Sequence, residues 1–300
     1  MRVFAFRFKY YNRVMSLRWA TARGRKYSRF QKLGILLNAG RKIEIPFLDL
    51  DVNTVCNLRC EKCAKCIPMK KGQFFSAEKV IADLRRLLSY VDTIHALSII
   101  GGEPFLNRDL ADVITYVSSC KQIIDPDIAT NGTVIPNDDV LTALKNSRLS
   151  VHISDYKYIS DHMLENRKQF IEKLEAYGIP YIFFSQEHEH WLDLGDLHDR
   201  KYSKFERGQV FYQCPLNSCT IYNDKKIYRC GRSSYLNRNG KPESVMIDMD
   251  QVHSKIEMRK LIHKFYSVPF LDACNCCNKN PESIEPGIQI ESKQYPYSED

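Results

Sequence analysis

A regular alternation of strand-like and helix-like segments between about residues 46 and 185 limits the folds open to this 300-residue chain. Helix starts are indicated by Ser76, Asn107 and Asn137, and a helix stop by Gly178 before Pro180. The strand candidates are 46–52, 95–100, 126–130, 149–154 and 180–184, and the helix candidates are 76–90, 108–119, 137–146 and 160–177. This alternation predicts an α/β fold in which helices cover a parallel sheet.

Polar motifs follow the first four predicted strands. The first strand leads into a cysteine loop, and the second runs into Gly101, Gly102 and Glu103. The third strand ends at Asn131, and the fourth ends in Ser154-Asp155. Because functional groups of such folds lie at the carboxyl ends of the strands, we expect these motifs to meet at one edge of the sheet.

The cysteine loop places Cys56, Cys60 and Cys63 at C-x3-C-x2-C spacing. A zinc site that adds Cys66 is the alternative, although zinc usually draws two ligand pairs from separate turns. A ferredoxin-type run has three residues between its third and fourth cysteines and a proline directly after the fourth. Here only two residues separate Cys63 from Cys66, and Ile67 follows. Three thiols without a fourth favour a cubane iron–sulfur cluster with one open iron.

Together these motifs resemble the radical S-adenosylmethionine (SAM) superfamily. The resemblance implies a partial (β/α)6 TIM-like barrel and a [4Fe–4S] cluster that binds SAM at its open iron. It assigns the SAM contacts to Gly101, Gly102, Glu103, Asn131, Ser154 and Asp155. Two positions depart from the usual pattern, since Asp155 stands one place early and Lys62 replaces an aromatic residue. Strand-end capping is the alternative role of Ser154 and Asp155.

Six cysteines near the C-terminus form a second group. Cys219 and Cys230 flank a predicted hairpin, and Cys274 and Cys277 supply a C-x2-C pair. This pattern resembles a twitch domain, a short form of the SPASM domain, and implies that these four residues bind one auxiliary [4Fe–4S] cluster. The two remaining cysteines are alternative ligands or hydrogen-donating catalytic thiols, namely Cys214 and Cys276. A zinc ribbon is the other interpretation.

Composition sets the remaining expectations. No apolar run reaches the ~18–20 residues of a membrane helix, so we predict a cytoplasmic protein in which clustered cysteines bind metal rather than form disulfides. The predicted organisation is a basic extension, a partial barrel, a small hairpin-containing cluster domain and an acidic, loosely ordered tail, at 1–45, 46–208, 209–280 and 281–300. We attribute the basic extension to packing rather than to nucleic-acid binding.

The resemblance implies that SAM is split to a 5′-deoxyadenosyl radical that takes hydrogen from a substrate. We expect a small polar, sugar-like or aminocyclitol-like substrate, dehydrogenation or epimerisation, and a reductant such as flavodoxin or ferredoxin. The polar loop 187–199 is a candidate substrate contact or a solvated loop. The alternatives are modification of a ribosomal peptide and a non-catalytic zinc protein with a nucleic-acid-contacting N-terminus.

Overall fold

The computed structural model describes residues 42–69, 71–156, 159–183, 191–214, 216–217 and 219–290. The basic extension up to residue 41 lies outside these ranges. So do residues 184–190, which include the first part of the polar loop 187–199. No helix in the described part of the chain is long and apolar enough to cross a membrane.

One mixed sheet of eight strands organises the described residues. Its strands are β1 (Glu44–Asp51), β2 (Thr93–Ile100), β3 (Ile123–Thr130), β4 (Ser150–Ile153), β5 (Tyr181–Phe183), β7 (Ile221–Asn223), β8 (Lys226–Tyr228) and β9 (Met246–Asp248). The short strands β6 (Trp191–Leu192) and β10 (Ser283–Ile284) pair separately. The five strands predicted up to residue 184 are confirmed with small shifts at their ends.

Helices lie between the parallel strands, as predicted. The α-helices of the described residues are α1 (Ala77–Leu88), α2 (Leu110–Ser119), α3 (Asp138–Lys145), α4 (Asp161–Tyr177), α5 (Lys204–Gln213), α6 (Gly231–Arg238) and α7 (Lys255–Ser267). The predicted caps Ser76 and Asn137 accept backbone N–H bonds at the starts of α1 and α3. Gly178 ends α4 at φ +67°, which glycine adopts without a Cβ penalty.

The strand order explains why the sheet is barrel-like. Strands β1 to β5 lie side by side in sequence order, and every neighbouring pair is parallel. A doubly wound sheet reverses its order at a switch point, whereas this order advances one strand at a time, as in a TIM barrel. The α/β partial-barrel prediction is therefore confirmed.

The predicted hairpin forms and joins this sheet. Strands β7 and β8 pair antiparallel through Ile221 opposite Tyr228, and β7 lies parallel to β1 through Asp49 opposite Ile221. The hairpin that Cys219 and Cys230 flank therefore pairs with the edge of β1 opposite β2.

Strand β1 lies at the centre of the core. Leu48 and Leu50 are buried, as are Leu84 of α1 and Leu97 and Ile99 of β2. Strands with both faces buried are rich in apolar residues, and the apolar run 45–48 made β1 recognisable from sequence.

Two local predictions are wrong. Asn107 is not the cap of α2, because its side-chain amide donates to the carbonyls of Val52 and Phe75 and so fastens the end of β1. The tail is not loose over residues 283–290: β10 pairs with β6, and Gln289 forms a β-bridge with Cys60. The pairing partners are distant segments of the chain, which composition does not identify.

Candidate functional site

The loop after β1 holds its three cysteines in a mostly apolar pocket. Cys60 is buried, and Cys56 and Cys63 are half-buried beside Leu58 and Ile159. Burial raises the pKa of Cys60 to about 12, and a hydrogen bond from Gln289 acts in the opposite direction. A metal that binds Cys60 therefore has to displace its proton.

Ion pairs fix the shape of the loop. Lys65 pairs with the buried Asp51 at the end of β1, and Lys62 Nζ lies 3.2 Å from Asp193 Oδ2. Lys62 and Cys66 adopt φ +58° and +55°, the left-handed region that non-glycine residues rarely occupy. Lys62 occupies the position where the radical SAM pattern usually has an aromatic residue. Here its ammonium group pairs with Asp193.

Glycines 101 and 102 lie against the start of the cysteine loop. A Cβ on Gly101 would be 2.5 Å from the Asn53 carbonyl oxygen, and one on Gly102 would be 2.1 Å from the Val55 carbonyl oxygen. Their lack of side chains is thus explained by contact with residues 53–55, whereas the sequence suggested contact with a ligand. The two motifs form one packed unit.

The carboxylate of Glu103 is buried at the end of β3. Its carboxylate accepts hydrogen bonds from Thr130 Oγ1 at 2.7 Å, Asn131 N at 2.8 Å and Phe105 N at 3.2 Å. Burial raises the pKa of Glu103 to about 7, although these three donors act in the opposite direction. Its side chain fastens the end of β3.

Asn131 bridges β3 to the cysteine loop. Its Nδ2 donates to Asn57 Oδ1 at 2.9 Å and lies 3.9 Å from Cys56 Sγ. Its Oδ1 accepts from the backbone and hydroxyl of Thr133. The structure therefore brings Asn131 to the loop, as the convergence of strand ends predicted.

The end of β4 is held by Arg167 of α4, which the sequence did not single out. Its guanidinium donates to Asp155 Oδ1, the Tyr156 carbonyl and the Asn131 carbonyl, each at 3.2 Å. Asp155 thus has an ion-pair partner, in line with the capping alternative. Ser154 remains half-buried at the strand end, and its N–H donates to the Thr130 carbonyl at 2.8 Å.

Four C-terminal cysteines lie within electrostatic range of one another. Burial raises the pKa of Cys230 well above its ordinary value, and Cys277, Cys274 and Cys214 add to the effect. Cys214 was predicted only as an alternative ligand or hydrogen donor. Cys219 begins the hairpin, and its N–H donates to the Leu216 carbonyl at 3.0 Å.

Cys66 and Cys276 pack in the apolar cluster that contains Cys274. The Arg232 guanidinium, which is 4% exposed, donates to the carbonyls of Cys276 and Gly195. The sequence did not single out Arg232. Its position two residues after the predicted ligand Cys230 was the only sign that it lies near this cysteine group.

A cavity of about 290 Å³ lies between the two cysteine groups. Its lining includes Cys60, Cys63 and Cys66 from the loop, and Asp196 and Arg232 from the C-terminal half. Among the described residues, neither Cys214 nor Cys276 lines it. Charged groups of both signs therefore face a space of small-molecule size.

The side chains that the loop offers to a metal are thiols. Within the described ranges, no three His, Cys, Asp or Glu side chains gather closely enough to hold one metal ion. Cys60 and Cys63 act electrostatically on Cys56. Thiolates are the usual ligands of iron–sulfur clusters, so the donor set of this loop fits such a cluster.

The C-x3-C-x2-C loop lies at the edge of the barrel-like sheet, with the glycine–glutamate turn packed on it. Residues 51–189, a little under half of the chain, match the family model described as the Radical SAM superfamily. The cofactors shared by that superfamily, a [4Fe–4S] cluster and SAM, are the ones this loop suits.

Particular relatives are similar over parts of the chain. A GTP 3′,8-cyclase of Stenotrophomonas maltophilia is 31% identical over 146 residues, which are 46% of this chain and 44% of that protein. The alignment thus spans less than half of the relative.

Two solved structures are similar to parts of this chain. BtrN in complex with AdoMet and 2-DOIA matches with TM-score 0.44 and 14% identity over 77% of this chain and 92% of that one. Streptococcus suis SuiB bound to precursor peptide SuiA matches with TM-score 0.39 and 16% identity over 53% and 39%.

Proposed function

We propose that this protein is a radical SAM oxidoreductase that dehydrogenates a small polar substrate. When bound, the cluster and SAM supply reductive SAM cleavage and hydrogen abstraction. The observation that carries the proposal is the meeting of Cys56, Glu103 and Asn131 at the carboxyl ends of neighbouring parallel strands.

The chain's own residues prepare this site. Cys56, Cys60 and Cys63 hold the first cluster, and the apolar wall of Leu58 and Ile159 limits water there. Asn131, the backbone of residues 101–103, Ser154 and Asp155 would contact SAM when it is bound. Glu103 keeps Asn131 in place through the 2.8 Å bond to its backbone N–H.

Dehydrogenation, rather than epimerisation, is supported by the second cysteine group. Removing two electrons from a substrate requires an electron acceptor besides SAM. We assign the auxiliary ligands to Cys214, Cys230, Cys274 and Cys277, because these thiols influence one another electrostatically. Cys219 is the alternative to Cys214.

A small substrate is favoured by the cavity volume of about 290 Å³. Epimerisation needs a thiol on the opposite face of the substrate, and neither predicted donor, Cys214 or Cys276, is among the described residues that line this cavity. Acids and a guanidinium in the lining suit hydroxyl and amine groups.

Anaerobic reconstitution with iron and sulfide tests the cofactors. The proposal expects a brown protein with about eight irons per chain, the content of two cubanes. Stoichiometric zinc with no iron uptake would overturn it and support the zinc-protein alternative. Turnover in deuterated water separates the reactions: a two-electron-oxidised product supports dehydrogenation, and deuterium retained in an otherwise unchanged product shows epimerisation.

A further inference from the structure

Residues 287–290 form a short strand-like clamp on the cysteine loop. The Glu61 N–H donates to the Ile288 carbonyl at 2.6 Å, and the Ile290 N–H donates to the Arg59 carbonyl at 2.8 Å. Between them, Cys60 and Gln289 face each other in an antiparallel bridge. A segment more than 200 residues away in sequence thus pairs with the backbone on both sides of one predicted cluster ligand.

The side chain of Gln289 uses both ends of its amide. Its Oε1 accepts from the Arg59 N–H at 2.8 Å, and its Nε2 donates to the Gly287 carbonyl at 2.6 Å and to Cys60 Sγ at 3.4 Å. A backbone N–H can only donate and a carbonyl can only accept, so these partners fix the amide orientation. The remaining N–H is therefore directed at the sulfur.

Gly287 sets how closely the clamp approaches. It adopts φ +79°, and a Cβ there would lie 2.6 Å from Cγ of Tyr156. The Tyr156 ring in turn packs edge-on against Trp191, with centroids 5.5 Å apart. Both aromatic rings belong to the apolar cluster that contains Cys56 and Cys63.

We propose that Gln289 is a positioning residue that tunes the first cluster through its N–H···S bond to Cys60. The inference rests on the proposed function, since it requires a cluster on this loop. Reduction adds one electron to the cluster and concentrates negative charge on its sulfurs. A hydrogen-bond donor to a ligand sulfur stabilises that reduced state and raises the reduction potential.

The test compares Gln289→Leu and Gln289→Glu in the full chain after anaerobic reconstitution. Glutamate keeps an acceptor for the Arg59 N–H but replaces the donor to Cys60 with a negative oxygen, whereas leucine removes both polar groups. Gln251→Glu, at an exposed position at the end of the short helix Met249–Gln251, adds the same charge away from the loop and is the control.

The measurement is a dithionite redox titration followed by electron paramagnetic resonance. The first cluster is identified by the change in its signal when SAM is added. Both Gln289 variants are expected to reduce at a more negative potential than wild type, and glutamate more so than leucine. The Gln251 control is expected to match wild type.

An unchanged potential in a Gln289 variant with full iron would overturn the inference. If the leucine variant folds poorly, the glutamate variant alone tests the inference. Its side chain keeps an oxygen that accepts from the Arg59 N–H. Wild-type protein that takes up no iron, or whose signal ignores SAM, would instead contradict the proposed function, so the two failures are distinguishable.

Discussion

Replacing Gly102 with alanine probes the packing of the glycine turn on the cysteine loop. The new Cβ would lie 2.1 Å from the Val55 oxygen and 2.9 Å from the Cys56 nitrogen, where ordinary contacts begin near 3.4 Å. The obstacle is backbone, so the two segments have to separate by about an ångström. The hydrogen bond from the Glu103 N–H to the Val55 carbonyl, 2.8 Å long, is then lost.

The expected cost combines two effects. Overpacking of this kind costs about 1–3 kcal/mol. Loss of the Glu103–Val55 hydrogen bond, together with the weaker one from Gly102 to Asn53, adds about 0.5–1.5 kcal/mol each. We therefore expect Gly102→Ala to lower the free energy of unfolding by about 4 kcal/mol.

Gly208→Ala is the matched control, because Gly208 lies inside α5 with nothing within 4 Å of its added Cβ. Alanine at an unobstructed helical position should stabilise by about 0.5–1 kcal/mol. The assay is urea unfolding of the metal-free protein followed by circular dichroism, with iron content measured after reconstitution. Wild-type stability and full iron in Gly102→Ala would refute the packing argument.

Three other changes test neighbouring parts of the site. Because the pKa of Glu103 is raised to about 7 from 4.5, wild type should gain about 3 kcal/mol of stability as the pH falls from 8 to 4, and Glu103→Gln should lack that gain. Arg167→Met releases the ends of β3 and β4, so it should weaken SAM binding measured by calorimetry more than it lowers iron content. Cys214→Ser should remove about half the iron, whereas Cys219→Ser should retain it.

A specific result would contradict each of these three predictions. For Glu103, the difference in stability between wild type and variant would not depend on pH. For Arg167, SAM affinity and iron content would fall together. For the cysteines, iron loss in Cys219→Ser alone would restore Cys219 as the ligand.

The fold was predictable because its signals are local and repeated. Strand β1 contains the apolar run 45–48, and Ser76, Asn137 and Gly178 mark helix ends with their own side chains or conformations. The meeting of Asn131 with the cysteine loop also followed, since parallel strands bring their carboxyl ends to one edge.

The remaining features depend on contacts between distant segments. Gln289 reaches Cys60 by pairing across 229 positions, and no periodicity marks such a pair. Arg167 resembles any helical arginine until α4 buries it beside Asp155. The sequence predicted a ligand contact for Glu103, and only the fold shows that its carboxylate accepts hydrogen bonds from Thr130 and Asn131.

The most direct test of the central claim is SAM cleavage by the reduced, reconstituted protein. Wild type should release 5′-deoxyadenosine, and the variant with Cys56, Cys60 and Cys63 replaced by alanine should release none while retaining about half the iron. Cys120→Ala, at the end of α2, is the control and should behave as wild type. Undiminished 5′-deoxyadenosine from the triple variant would contradict the assignment of this loop.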